Sequence, residues 1–420
     1  MPAQVKCADF GIRIGTLPSG PLGKISDVPG VTVGHCTIDT DTHKTGVTVV
    51  LPCADDPFAQ KLPAASYVLN GFGKTAGLVQ IDELGTLETP IALTNTLNVG
   101  LVHDALVEYM VRRCAKSGIA LRSVNPVVAE CNDGGLNDIA HRAVRAEHVF
   151  AAIDAASADF ALGDVGAGKG MVCHDLKGGI GSASRVLELD GARYTLGVLV
   201  LANHGCLRDL CIGGRAVGDK IAAGIAKRTA AGQPEEAEQS AAMGQPGAAE
   251  RFEAAGRPDE AGRSGGVPSA EPAADFGSCI VVLATDLPLS SRQLGRVLRR
   301  ASVGLARLGS YIGHGSGEVF LGFSTANRVP HESERAVLTG TYLHEGKIDA
   351  AFRAAAEAAE EAVLSAMLCA DTVTGFDGST KVSLREFAKL VCETECPEGG
   401  MAFVLPPVER PGTPRKDETT

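Results

Sequence analysis

Gly277-Ser278-Cys279-Ile280-Val281-Val282-Leu283-Ala284-Thr285-Asp286 is the stretch that decides the reading of this chain. After Ser278 it is an unbroken β-prone run, the pattern of a strand buried on both faces. Before Gly277 the composition is different. Residues 229–276 contain no Leu and no Ile, and their larger apolar residues are only Met243, Phe252, Val267 and Phe276. Such a segment buries too little apolar surface to offset its ordering entropy, and it is expected to be a disordered linker. A flexible linker that ends in Gly-Ser at the start of a buried strand is either an ordinary turn or a place where the chain is cut. Cutting would change the chemistry of Ser278. A Ser hydroxyl is a poor nucleophile without a base. A new α-amine, with a pKa of about 7.7–8.0, would supply that base from the same residue.

Around this junction, alternating apolar runs and helical periodicities recur. Thr45–Leu51 and Tyr194–Leu201 read as strands, and Leu97–Lys116 as a helix. Downstream, a helix is expected over Ser290–Leu308. A Gly-rich segment, Gly309–Gly317, leads into the strand Val319–Ser324. The run Ile348–Leu368, rich in Ala and Glu and free of Gly and Pro, is a further helix whose acidic face is expected to meet solvent. A shorter helix is expected over Leu384–Cys392, and the tail from Pro406 is expected to be loose.

Composition narrows the class. The chain has 420 residues with 39 basic and 50 acidic side chains, a net charge of −11, which disfavours nucleic acid as a partner. No run of about 18 apolar residues occurs, so no membrane span is expected. The start Met1–Asp9 lacks a signal-type apolar run, and the 12 cysteines form no C-x-x-C pair. Both features suggest reduced thiols in a cytoplasmic protein. Gly73-Lys74-Thr75 is not the end of a phosphate-binding loop, because Val68 stands where that pattern needs Gly. Gly166-x-Gly168-x-Gly170 is not a dinucleotide fingerprint, because Met171 stands at the sixth position. His204, Cys206 and Cys211 lack a fourth ligand at a suitable spacing and are read as buried groups rather than a metal site. No cofactor or metal is expected.

Several motifs then run in order along nearly the whole chain outside the linker. They are Ile25–His35 with Thr45-Gly46-Val47-Thr48; Thr94-Asn95-Thr96; Val127-Val128-Ala129-Glu130 with Leu136-Asn137-Asp138; Gly166-Ala167-Gly168 with Lys177–Gly181; Leu201-Ala202-Asn203; Gly277-Ser278; and Gly315-Ser316-Gly317-Glu318. Together they resemble the family of β-peptidyl aminopeptidases and L-aminopeptidase/D-esterases, hydrolases of the N-terminal-nucleophile type. The resemblance implies an α+β fold, a four-layer αββα sandwich shaped like the N-terminal-nucleophile hydrolases but connected differently. It implies one domain, self-cleaved into 1–277 and 278–420, with two chains that stay together and assemble as a homotetramer of processed heterodimers.

The resemblance also assigns roles. Ser278 is the nucleophile, and Gly277–Ser278 is the cleavage site. Ser316 and Glu318 are a pair beside it whose i, i+2 spacing places both on one face of a strand. Asn203 is the oxyanion-hole amide, and Glu130 binds the substrate's free amine by a charge-assisted hydrogen bond. Where some relatives have a Tyr just after this Glu, this chain has Cys131-Asn132. The activity implied is release of N-terminal residues from peptides, amides or esters with a free amine, through an acyl-enzyme. Two other readings are an acyltransferase of the ornithine acetyltransferase type, disfavoured because those enzymes carry Thr at the junction, and an uncleaved binding protein.

Overall fold

Burial on both faces accounts for the apolar run after Ser278. The computed structural model describes residues 5–231 and 276–392, and in it Phe276–Thr285 is a single strand. Its Ile280, Val282 and Ala284 enter one core while Cys279, Val281 and Leu283 enter another. No position in the run is left to face water, so none is polar until Thr285.

In chain order the principal elements are β1 (Thr32–Asp39), β2 (Lys44–Leu51), β3 (Gln60–Gly71), β4 (Ile91–Asn95), α1 (Val99–Lys116), β5 (Val127–Cys131) and α2 (Ala146–Asp154). They continue with β6 (Gly179–Leu189), β7 (Ala192–Asn203), α3 (Gly218–Ala231), β8 (Phe276–Thr285), α4 (Ser291–Arg307), β9 (Gly315–Ser324) and α5 (Asp349–Cys369). One sheet has the order β1-β2-β4-β5, parallel only between β4 and β5. The other runs β3-β9-β8-β7-β6, parallel only between β8 and β9, with Val329–Pro330 at its edge and Thr86–Leu87 also paired to β3.

Three apolar layers join these sheets and helices. Val33, Leu93 and Ala129 of the first sheet meet Leu199, Ile280 and Leu321 of the second. The first sheet's outer face packs Val47, Val49 and Val128 against Leu106 of α1 and Val149 of α2. The second sheet's outer face packs Val200, Val281 and Phe320 against Leu294 and Leu298 of α4 and Ala355 and Ala362 of α5. The result is the expected four-layer αββα sandwich.

The sequence-level elements shift at their ends for local reasons. Thr96–Asn98 forms a 3₁₀ turn, so α1 begins at Val99. Helix α4 starts after Ser290, which caps it reciprocally: Gln293 N donates to Ser290 Oγ at 3.3 Å and Ser290 N donates to Gln293 Oε1 at 3.0 Å. Strand β9 begins within the Gly-rich segment, at Gly315. The expected linker starts and ends inside elements, since α3 reaches Ala231 and β8 starts at Phe276. Its remaining residues, 232–275, and the tail from Pro406 lie outside the described residues.

One expectation is overturned. The acidic side of α5 does not face water: Glu357 is 2% exposed and Glu360 6%. The helix is covered by the second sheet, by α4 and by the N-terminal segment. The side chain of Arg185 pairs with Glu357 at 3.3 Å and with Glu361 at 2.6 Å, and Arg307 pairs with Glu360 at 3.1 Å. Small residues permit this close packing. A Cβ on Gly181 would lie 1.8 Å from the Ala362 carbonyl oxygen, so the helix rests against the sheet backbone itself. Among the described residues, no helix is long and apolar enough to cross a membrane, and no disulfide joins the ten described cysteines.

Candidate active site

The ends of β7, β8 and β9 bring the junction and two of the motifs side by side. Ser278 of β8 lies opposite Asn203 of β7 and opposite Gly317 of β9. Ser278 is 4% exposed, and its Oγ donates to the Gly277 carbonyl oxygen at 2.5 Å. Gly277 has φ +153°, and a Cβ there would fall 2.0 Å from the Asn203 carbonyl oxygen. Only glycine fits this approach without moving β7.

The amide of Asn203 is held in one orientation. Val172 N donates to its Oδ1 at 2.8 Å, and its Nδ2 donates to the Asn132 carbonyl at 3.1 Å. The donor nitrogen is thereby fixed on the side of Asn132, at the strand position facing Ser278. Glu130, at the end of β5, is 2% exposed. Its Oε1 accepts from Lys74 N at 2.8 Å and its Oε2 from the Thr96 hydroxyl. Neutral donors hold the carboxylate without cancelling its charge, which leaves it able to take a cation.

Ser278, Gly277, Asn203 and Glu130 line one cavity of about 440 Å³, together with Phe72, Lys74, Asn132 and Lys381. Ser316 and Glu318 are both fully buried and are not among the residues lining it. The Ser316 hydroxyl donates to Glu318 Oε1, so the pair does share one face. In the parallel register Ser316 lies opposite Gly277 and Glu318 opposite Cys279. Strand alternation therefore puts this pair on the side of the sheet away from the Ser278 side chain, next to the backbone that precedes and follows it.

Cys131, next to Glu130, turns away from the cavity. Its thiol is 3.4 Å from the Ser278 carbonyl oxygen, and burial, with the Glu130 charge second, pushes it well above the ordinary thiol range. Burial does the same to Cys279. Neither is a thiolate available for chemistry. His35, inside one of the motifs, spends its ring nitrogens on Thr48 Oγ1 at 2.9 Å and the Ala161 carbonyl at 3.1 Å; burial draws its pKa down to about 4. It is a neutral structural group.

Sequence reasoning passed over Lys177. It is 0% exposed, and its ammonium donates to the carbonyls of Met171 and Gly178 at 2.8 Å and of Gly168 at 3.1 Å. Burial lowers its pKa to about 7, while the three carbonyls favour the charged form. It ties down the loop whose Val172 N–H orients Asn203. Thr96 and Lys177 both stand inside quoted motifs, and that position was the one signal that could have marked them.

The family model described as Peptidase family S58 matches residues 23–381. The beta-peptidyl aminopeptidase BapA of Sphingosinicella xenopeptidilytica is 36% identical over 386 residues, covering 89% of this chain and 87% of that one. The solved structure of a Burkholderia sp. beta-aminopeptidase superposes with a TM-score of 0.76 at 37% identity, over 92% of this chain and 97% of the other. The L-aminopeptidase D-Ala-esterase/amidase of Ochrobactrum anthropi, described as a prototype for the serine aminopeptidases and a variant of the Ntn hydrolase fold, gives 0.74 at 32% identity over 92% and 99%. An αββα sandwich with Ser278, Asn203 and Glu130 around one cavity, matched along most of its length by these enzymes, belongs to peptidase family S58 and is a peptidase hydrolase of the aminopeptidase kind.

Proposed function

We propose that the chain cuts its own Gly277–Ser278 bond and then acts as a serine aminopeptidase and amidase through the new N-terminal Ser278. The observation that carries this is the position of Ser278 Oγ, 2.5 Å from the Gly277 carbonyl oxygen and opposite Asn203. In maturation Oγ attacks the Gly277 carbonyl carbon, the C–N bond breaks, and the Ser278 nitrogen leaves as the amine. Water hydrolyses the resulting ester, giving a Gly277 carboxylate and a free Ser278 hydroxyl. Departure of Gly277 vacates the place opposite Ser316. That brings Ser316 and Glu318 next to the new amine, which explains why the pair lies behind the cavity in the uncut chain.

In turnover, the amine of Ser278 accepts the hydroxyl proton as Oγ attacks the substrate carbonyl, and returns it to the leaving group. Asn203 Nδ2 stabilises the oxyanion, and Glu130 binds the substrate ammonium. Water then releases the acyl group. Substrates are peptides, amides or esters with a free amine, β-peptides included, in keeping with the names of the relatives. The active form is a homotetramer of processed heterodimers, as the family resemblance implies, and its scattered cysteines suit the cytoplasm. Ser278→Ala tests the reading: the chain should stay in one piece and release no p-nitroaniline from amino-acid p-nitroanilides. An intact but active variant would overturn it.

A further inference from the structure

Three ligating side chains sit in the layer just below the cavity wall. Val172, Asp175, Asn203 and Gly205 line the cavity, and Cys173, His174 and His204 are their immediate neighbours in sequence. All three are at most 1% exposed. The thiol and one ring nitrogen from each histidine lie within 4.8 Å of one another.

The chemistry of each group suits a metal ion. His174 Nδ1 lies 3.0 Å from the Cys206 carbonyl oxygen, which can only accept, so the proton is on Nδ1 and the lone pair is on Nε2. A backbone carbonyl holding the other nitrogen is the usual arrangement behind a ligating imidazole. His204 Nδ1 is 3.9 Å from Cys173 Sγ, and its Nε2 is buried without a hydrogen-bond partner. Neither nitrogen is committed to a protein oxygen. His174 and Asp175 also occupy the left-handed region, φ 49° and 59°, in a two-residue hairpin turn where Asn-Gly is the easier choice.

We infer that Cys173, His174 and His204 form a binding site for a thiophilic divalent ion of the Zn²⁺ class. One thiolate and two imidazoles select such an ion over Mg²⁺ or Ca²⁺, which prefer oxygen ligands. Tetrahedral ligation at ordinary Zn–S and Zn–N lengths places donors about 3.3–3.7 Å apart, so donors that lie within 4.8 Å of one another here draw together when the ion binds. Binding releases one proton, from the Cys173 thiol to solvent, and leaves a fourth position open. It also bears on catalysis. Cys173 and His204 directly follow Val172 and Asn203, whose hydrogen bond sets the amide opposite Ser278. Drawing the two ligands together shifts that amide, and a shift approaching 1 Å can slow turnover on the order of 100-fold.

The test uses the purified full-length protein, freed of metal by a chelator and titrated with Zn²⁺ in a calorimeter. The expected result is one ion per protomer with a Kd below about 10 μM, abolished in Cys173→Ser. Titration of the wild type with Co²⁺ should show a thiolate-to-metal charge-transfer band, a readout that needs no variant and no activity. Absence of saturable uptake, uptake unchanged in a folded Cys173→Ser, or a Co²⁺ spectrum without thiolate would each overturn the site. None of these readouts depends on Ser278 chemistry, so failure here is distinct from failure of the aminopeptidase reading.

Discussion

Replacing Glu130 by Gln isolates the charge that is assigned to the substrate amine. The change keeps shape. The amide oxygen can still accept from Lys74 N, held at 2.8 Å in the native protein. The amide nitrogen can donate to Thr96 Oγ1, whose hydroxyl simply turns round. What is lost is a charge-assisted hydrogen bond to a desolvated ammonium. Such bonds are worth about 1.5–3 kcal/mol, so kcat/KM for a free-amine substrate should fall about 10- to 150-fold. Self-cleavage has no substrate amine, so the variant should still mature. The assay compares an amino-acid p-nitroanilide with its α-hydroxy analogue on both enzymes. The wild type should discriminate against the hydroxy analogue, and Glu130→Gln should lose most of that discrimination, a coupling read as a double-mutant cycle. Equal losses on both substrates, or a change in kcat/KM under about threefold, would refute the amine-binding role.

Other consequences follow from the same geometry. Asn203→Ala removes the oriented donor and should lower kcat by about 10²–10³ once the enzyme has matured, measured in single-turnover acylation. Arg185→Met strands two acidic partners against a nearly closed surface and should cost about 3–5 kcal/mol in urea unfolding, whereas a surface pair such as Arg112–Glu108 should cost under about 1 kcal/mol. His35, held down to about 4 by burial, stays neutral in the native state while the unfolded chain takes up a proton below about pH 6.5. Its contribution is therefore present above that pH and lost as pH falls from about 6.5 towards 4, by at most about 1.4 kcal/mol per unit. Urea midpoints from pH 7 to 4.5 should show that slope, and His35→Asn should flatten it.

Strand periodicity and motif order made much of this legible before any coordinates. The buried run after Ser278 announced a two-faced strand, and that strand does separate two cores. Ser316 and Glu318 share a face as their spacing implies. Spacing within one strand, however, says nothing about register to the next. Only the pairing of Gly277 with Ser316 shows that this face is opposite to the Ser278 side chain. The acidic residues of α5 misled for a related reason. Glutamates on an Ala-rich helix ordinarily face water, and nothing local indicates that Arg185, far away in sequence, will meet them inside. Lys177 was silent because a lysine is usually a surface charge; its three carbonyl partners come together only when the loop folds around it. Cys173, His174 and His204 have no sequence spacing typical of a metal site, and it is the approach of a hairpin turn to the end of β7 that assembles them.

The central claim is that Ser278 becomes an N-terminus. Intact-mass measurement of the purified protein under denaturing conditions, with N-terminal sequencing of each chain, tests it most directly. The account predicts two chains, the second beginning at Ser278, with aminopeptidase activity rising in step with their appearance. A single uncut chain with full aminopeptidase activity would contradict it.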